Sequence, residues 1–486
     1  MTISTRAAIA SSVTGRYLIM ALQFASTMVL ARLLTPEDIG IYTAGFSVVA
    51  LAHLFRDFGL NQYIIQEQNL DETAIRTTFT LSLMIAWALG LVVFLLADPA
   101  ARFFGEPGVK QLLQLLSINF FLIPFGSVTL AILRKKMLFH ITAGISFVAV
   151  FLGISVAVYS AYTGQGFMCL AYGAVTETSA TVILSAFFRP KRMSFLPSIK
   201  GARRIFQFAS IVGTGNVVMQ LSYSITDALI ARMLGITALG FFSRAWGTFE
   251  LFNNIFVNAF KPVMLPLLSR NSGDQPKLIA GYSQAVCYSF IFAWPFFAFL
   301  YLYTFEVMRV LYGAQWDAAI PLVKILCAAG FTLPVTIFVE SLFIACGKPG
   351  TALKLQLIAN AAKVTFVLVA CFIGLKAVSV ALVGYFFVRL LTSMYYAQKV
   401  VGIRYSEMAK VALQAIPSLI TTIAPTLLAY ELVEGRIENV FLRFFILASL
   451  AATGWLIGLK LGKHPFFDEL TTIYQRILRR QSIEIK

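Results

Sequence analysis

The residues of this chain that could do chemistry lie inside apolar runs and recur at helical spacing. Arg16, Gln23 and Thr27 are separated by seven and four residues, which places them on one stripe of a helix. Asn216, Gln220, Tyr223 and Asp227 form a second stripe, Gln356, Asn360 and Lys363 a third, and Tyr385, Arg389 and Tyr396 a fourth. Glu250, Asn254 and Asn258 share a face by the same count, and Glu177 and Glu340 are acids within apolar runs. A charge at the centre of a bilayer costs about 2.5 to 3.5 kcal/mol on insertion scales, so each needs a partner or a wet cavity. Cations in such a cavity are natural ligands for a phosphate-bearing head group. The candidate substrate-binding residues are therefore Arg16, Gln23, Asn216, Gln220, Gln356, Asn360, Lys363 and Arg389. Asp227, Glu250, Glu340 and Glu177 are the candidates for coupling to protons or sodium. A second reading stays open: Lys363 or Arg389 pairs with Glu250 or Asp227, and the charges only orient helices. Arg16 and Arg56 also lie close enough to an interface to snorkel.

Catalysis is poorly provided for. The three histidines, His53, His140 and His464, are scattered, and the five cysteines lie in or at the ends of apolar stretches without a CxxC pair. No HExxH, GxxxxGK[ST], GxSxG or DxD pattern occurs. No metal or cofactor is expected, and hydrolases and nucleotide-driven pumps lack a chemical centre here. External loops of at most about twenty residues leave no room for the domain a membrane glycosyltransferase or polymerase normally carries. The chain is not expected to be an enzyme.

The elements that must position these stripes are membrane spans. Of 486 residues, 59% are apolar and 13% charged, with mean hydropathy +0.81. Ordinary globular domains hold about 45 to 50% apolar and about 25% charged residues. About fourteen runs of about 20 apolar residues can be drawn along the chain. About two thirds of the lysines and arginines then fall on the side of the first residue, which makes both termini cytoplasmic. The net charge of +17 is thus a signal of topology and not a footprint of nucleic acid. Polar residues precede the first run and no small-residue cleavage site follows it, so no cleavable signal is expected.

An internal repeat organises the runs. Ala31-Arg32-Leu33-Leu34 followed by Ile39-Gly40-Ile41-Tyr42 returns 200 residues later as Ala231-Arg232-Met233-Leu234 and Leu239-Gly240-Phe241-Phe242. The fourth run of each half carries a central proline, Pro124 and Pro334. Six spans per half is an even number, so the halves share one orientation about an axis along the membrane normal. The expected fold is an all-α polytopic membrane protein of about 14 transmembrane helices, with two parallel six-helix repeats plus two C-terminal helices. Its expected parts are an N-terminal lobe (1–188), a basic cytoplasmic linker (189–204), a second lobe (205–399), two additional spans (400–460) and a cytoplasmic amphipathic tail (461–486). The tail sets Phe466, Phe467, Leu470, Ile473, Tyr474 and Ile477 at helical spacing, with Arg476, Arg479 and Arg480 elsewhere, as an interfacial helix on anionic lipid would.

These residues resemble the polysaccharide and oligosaccharide flippases of the multidrug/oligosaccharidyl-lipid/polysaccharide exporter superfamily. The resemblance covers most of the first twelve spans. It is carried by the turn from Arg32 to Gly40 and by Asp57-Phe58-Gly59-Leu60 leading to Ile64-Ile65-Gln66. Phe103-Phe104-Gly105 with Pro107, Arg134 to Phe139, and Leu311-Tyr312-Gly313 with Trp316 add to it. Ile39 stands where the family usually has an aromatic residue, and Tyr63 is bulkier than the usual small one. The resemblance implies a V-shaped pair of lobes working by alternating access. The implied cargo is a polyprenyl-diphosphate-linked oligosaccharide moved across the bacterial inner membrane for exopolysaccharide or O-antigen synthesis. The implied partners are that substrate, membrane lipid, and polysaccharide polymerase and export proteins. A cation-coupled multidrug antiporter and a lipid II flippase are the alternatives within the same superfamily.

Overall fold

A computed structural model describes residues 5–56, 59–68, 70–189, 197–203, 205, 217–434, 436–462 and 464–467. Asp57, Asn216 and most of the expected tail lie outside these residues. Every regular element among them is a helix. The order is α1 (Thr5–Leu33), α2 (Pro36–Arg56), α3 (Leu60–Gln66), α4 (Glu72–Phe104), α5 (Gly108–Leu122), α6 (Pro124–Lys135), α7 (Phe139–Tyr162) and α8 (Met168–Phe187). Then follow α9 (Val217–Leu234), α10 (Ile236–Phe252), a π-helical turn (Asn253–Val257), α11 (Asn258–Arg270), α12 (Gln275–Leu302), α13 (Thr304–Leu311) and a 3₁₀ turn (Ala314–Ala319). The chain continues with α14 (Ile320–Gly330), α15 (Leu333–Thr336), α16 (Val339–Ala345), α17 (Pro349–Cys371), α18 (Leu375–Val401), α19 (Tyr405–Leu413), α20 (Ile416–Glu434) and α21 (Val440–Leu461).

Among the described residues nine helices are long and apolar enough to cross a membrane, or eleven if two bent pairs each count as one span. Both bends fall at the prolines that the sequence singles out. Gly108–Leu122 and Pro124–Lys135 meet at 49°, and Ala314–Gly330 and Leu333–Ala345 at 56°. Proline lacks the N–H that would continue the ladder and its ring collides with the preceding turn, so a helix kinks there. The runs expected as single spans at 112–133 and 319–346 are therefore broken ones.

The chain divides into two compact units, Met1–Ser243 and Arg244–Lys486. In the first, the turn into α2 is fixed by its own sequence. Thr35 is the N-cap and Pro36 opens the helix. Asp38 Oδ2 accepts from the Thr35 amide at 3.0 Å and its hydroxyl at 2.7 Å, while the Asp38 amide donates to Thr35 Oγ1 at 3.1 Å. The other carboxylate oxygen accepts from the Phe167 amide at 2.9 Å and ties this turn to the start of α8. Small residues let α7 and α8 approach closely: a Cβ on Gly173 would stand 2.8 Å from that of Ala157.

Within the same unit α2 packs on α9 and the start of α10. A Cβ at Gly40 would fall on the Ile236 carbonyl, and one at Gly240 on the Pro36 carbonyl. Thr43 Oγ1 lies 3.3 Å from Ser243 Oγ, and Ser224 Oγ donates to the Ser47 carbonyl at 2.9 Å.

The second unit is built on aromatic packing. Phe249, Phe252, Phe256, Phe292 and Phe297 form a chain of ring contacts between α10, the π turn and α12. At one end of this unit Arg443 of α21 meets Glu306 of α13 at 3.5 Å, with both side chains nearly sealed from solvent. Helix α21 lies tight on α20, because Gly454 and Gly458 leave space for Thr421 and Ser418. Beyond α21 the chain turns back. Phe466 stacks edge-on against Tyr288 at 5.4 Å and Phe292 at 5.2 Å. Both Phe466 and Phe467 pack on the apolar core of this unit. The start of the expected interfacial tail thus finds protein for its apolar side chains.

Candidate functional site

The polar residues of the second unit converge on one cluster. Helix α10 supplies Trp246 and Glu250, the π turn Asn253, α16 Glu340, α17 Gln356 and Lys363, and α18 Tyr385 and Arg389. The positions on α17 are seven apart and those on α18 four, so each helix offers one polar stripe. Glu340 arrives on the short helix that follows the break at Pro334.

An ion pair anchors the cluster. Arg389 Nη2 lies 3.2 Å from Glu340 Oε1, and Gln356 Nε2 donates to Glu340 Oε2 at 3.1 Å, so both carboxylate oxygens are engaged. Arg389 Nη1 donates to the Tyr385 hydroxyl at 3.4 Å. Lys363 is only 3% exposed. Its ammonium sits 5.6 Å from the centre of the Trp246 ring and 6.0 Å from that of Tyr385, where the negative π faces replace part of its hydration. Asn253 Nδ2 donates to Glu250 Oε2 at 2.8 Å, and Glu250 lies within electrostatic reach of Lys363 and Arg389. Asn360 Nδ2 donates to the Gln356 carbonyl at 2.8 Å. Two cations thus face two acids. The side chains of Arg389 and Glu340 remain 25% and 21% exposed. A charged pair open to that degree within apolar helices calls for water and not lipid on its open side.

The arrangement adds detail to the expected one. Arg389 takes Glu340, an acid outside the expected pairing, as an ion-pair partner, while Glu250 lies within electrostatic reach of Lys363 and Arg389. The face expected from Glu250, Asn254 and Asn258 divides: Asn258 Nδ2 donates to Asn254 Oδ1 at 3.5 Å, and a π turn begins at Asn253. It is Asn253 that meets Glu250, while Asn254 and Asn258 are exposed. Tyr396 packs against the apolar core of this unit. Sequence reasoning missed Trp246, although it stands four residues before Glu250 and so shares its face.

The other candidates belong to the first unit. Arg16 and Gln23 are exposed on α1, and Gln220 and Asp227 are half-buried on α9. Glu177 is half-buried on α8, where a Cβ on Gly153 would stand 2.9 Å from its own Cβ. Asn216 lies outside the described residues. No group of three or more His, Cys, Asp or Glu able to hold a metal ion occurs among the described residues. Tyr312 and Trp316, from the motif around Gly313, pack on the guanidinium of Arg244 at 5.5 and 5.4 Å.

Comparison with known proteins follows the same lines. The model of a family described as polysaccharide biosynthesis protein matches residues 29–321. The lipopolysaccharide biosynthesis protein WzxC of Escherichia coli (strain K12) is 23% identical over 339 residues, 69% of each chain. The succinoglycan biosynthesis transport protein ExoT of Rhizobium meliloti (strain 1021) is 25% identical over 327 residues, 66% of this chain and 65% of that one. Among solved structures, the lipid II flippase MurJ in an inward closed conformation superposes with a TM-score of 0.75 at 13% identity, covering 95% of this chain and 99% of that one. An inward-facing multidrug resistance MATE family transporter of the MOP superfamily superposes with a TM-score of 0.64 at 17% identity, covering 80% and 94%. These likenesses show an all-helical fold shared with membrane transporters.

Proposed function

Because the chain belongs to the polysaccharide biosynthesis protein family, we propose that it is a flippase for polyprenyl-diphosphate-linked oligosaccharide repeat units in exopolysaccharide or O-antigen synthesis. It is a multi-pass membrane protein, and its relatives and structural neighbours are named as biosynthesis, transport or flippase proteins and not as catalysts. One observation carries the reading furthest: a charged, amide-rich cluster, partly exposed at Glu340 and Arg389, sits among apolar helices. Sugars and a diphosphate cannot enter hydrocarbon unaided, because their polar groups would lose water without replacement. A wet polar route through the helices removes that cost, while the isoprenoid tail stays in lipid.

The architecture proposed for this task is two parallel six-helix repeats, at 1–188 and 205–399, joined by the basic linker at 189–204 and followed by two further spans at 400–460. The 200-residue offset between Thr43 and Ser243 supports it, since equivalent residues of two repeats meet on the axis relating them. About fourteen spans, cytoplasmic termini and the bacterial inner membrane complete the proposal. Arg16, Gln23, Asn216 and Gln220 in the first unit, with Gln356, Asn360, Lys363 and Arg389 in the second, are its substrate-facing residues. Asp227, Glu250, Glu340 and Glu177 are its candidates for ion coupling. Polymerase and export proteins are the partners that would consume its product.

Deletion of the gene tests the function. Lipid-linked oligosaccharide is expected to accumulate on the cytoplasmic face, and an unchanged distribution between leaflets would end the proposal. The breadth of the superposition with MurJ keeps a lipid II flippase as the second reading. Loss of viability on deletion, with wall precursor trapped in place of capsule or O-antigen precursor, would select it.

A further inference from the structure

We propose that the cluster in the second unit is a subsite for the uncharged, hydroxyl-bearing part of the head group and not for its diphosphate. The proposal rests on the transport reading above and specifies which part of that cargo the cluster takes.

A diphosphate needs cations that are not already committed. Arg389 is committed to Glu340 and to the Tyr385 hydroxyl. Lys363 is buried against the rings of Trp246 and Tyr385 and cannot meet an incoming ion without leaving them. Glu340 already holds Arg389, and Glu250 lies within electrostatic reach of both cations, so a dianion arriving here would meet carboxylates as well as cations. Each repulsion would act in a medium of low effective dielectric, where charge pairs interact several-fold more strongly than in bulk water.

What the cluster does offer is paired donors and acceptors. The Gln356 amide gives one hydrogen to Glu340, which leaves its carbonyl oxygen and a second N–H. The Asn360 amide gives one hydrogen to the Gln356 backbone carbonyl and likewise keeps an oxygen and an N–H. Both side chains are half-buried, as are Glu340 and Arg389, so these groups line the wet edge of the cluster. A sugar hydroxyl donates one hydrogen bond and accepts others. Neighbouring hydroxyls on a ring therefore match a surface that alternates carbonyl and N–H without net charge. A site of this kind discriminates sharply, because a missing hydroxyl leaves its buried partner unpaired.

The test uses the full-length protein in lipid nanodiscs and two probes: polyprenyl diphosphate without sugar, and the lipid-linked repeat unit extracted from the host strain. Gln356→Leu and Asn360→Leu are each expected to weaken binding of the sugar-bearing lipid about tenfold. Affinity for the bare diphosphate lipid is expected to stay within about twofold of wild type, which also reports that both variants are folded. Equal weakening toward both lipids, or no change in either variant, would overturn the subsite while leaving the transport reading intact. Failure of the wild type to bind either lipid would overturn the transport reading, and the subsite with it.

Discussion

The hydroxyl oxygens of Thr43 and Ser243, 200 positions apart in the chain, lie 3.3 Å from each other. Gly40 and Gly240, at the same offset and one turn earlier, sit where a side chain on either would strike the other's helix. Residues separated by this offset thus meet in pairs. The pair also gives the first prediction. With both residues replaced by cysteine, Thr43→Cys/Ser243→Cys, mild oxidant should form a disulfide, read as a loss of two thiols in intact mass. An unchanged number of free thiols after oxidation would show that this contact is not made in the membrane.

The glycines at that seam predict a stability difference. Gly40→Leu or Gly240→Leu forces a side chain onto a backbone carbonyl, and overpacking of this kind costs about 1 to 3 kcal/mol or more. Gly247 in α10 has nothing within 4 Å of a built Cβ. Gly247→Ala should therefore be neutral or stabilise the helix by up to about 1 kcal/mol. Thermal midpoints of the three variants in detergent would separate the sites, and equal midpoints would count against the close approach.

Glu306 and Arg443 form a second buried pair, and its two ends should behave unequally when one is removed. Breaking a buried pair from one side leaves an uncompensated charge and costs about 3 to 5 kcal/mol. Replacing both by apolar residues is often near neutral. Arg443→Met should therefore lower the thermal midpoint markedly, and Glu306→Leu/Arg443→Met should recover most of the loss. Additive losses would mean that the two groups do not interact.

For transport, Lys363→Ala and Arg389→Ala are expected to abolish export without preventing membrane insertion. Removal of Lys363 uncovers Trp246 and Tyr385, and removal of Arg389 takes the ion-pair partner from Glu340. Surface polymer measured against membrane-fraction protein checks this. Full export by both variants would reduce the two cations to helix packing.

Helical periodicity carried much of this protein. Composition alone required a membrane, and the spacing of Gln356, Asn360 and Lys363 and of Tyr385 and Arg389 assigned them to faces without any knowledge of neighbours. Pro124 and Pro334 marked both bends, because a missing N–H is a property of the residue itself. Periodicity fixes which way a residue faces on its own helix, but not what another helix brings to meet it. Glu340 meets Arg389 from a short helix of a bent segment, and Trp246 enters the cluster through Lys363 of α17, which lies over its ring. The bond between Asn253 and Glu250 was equally hidden, because a place on a helix face does not say which of two neighbouring asparagines will find the carboxylate. Pairing across helices depends on crossing geometry and on bends, and those are settled by packing the whole bundle.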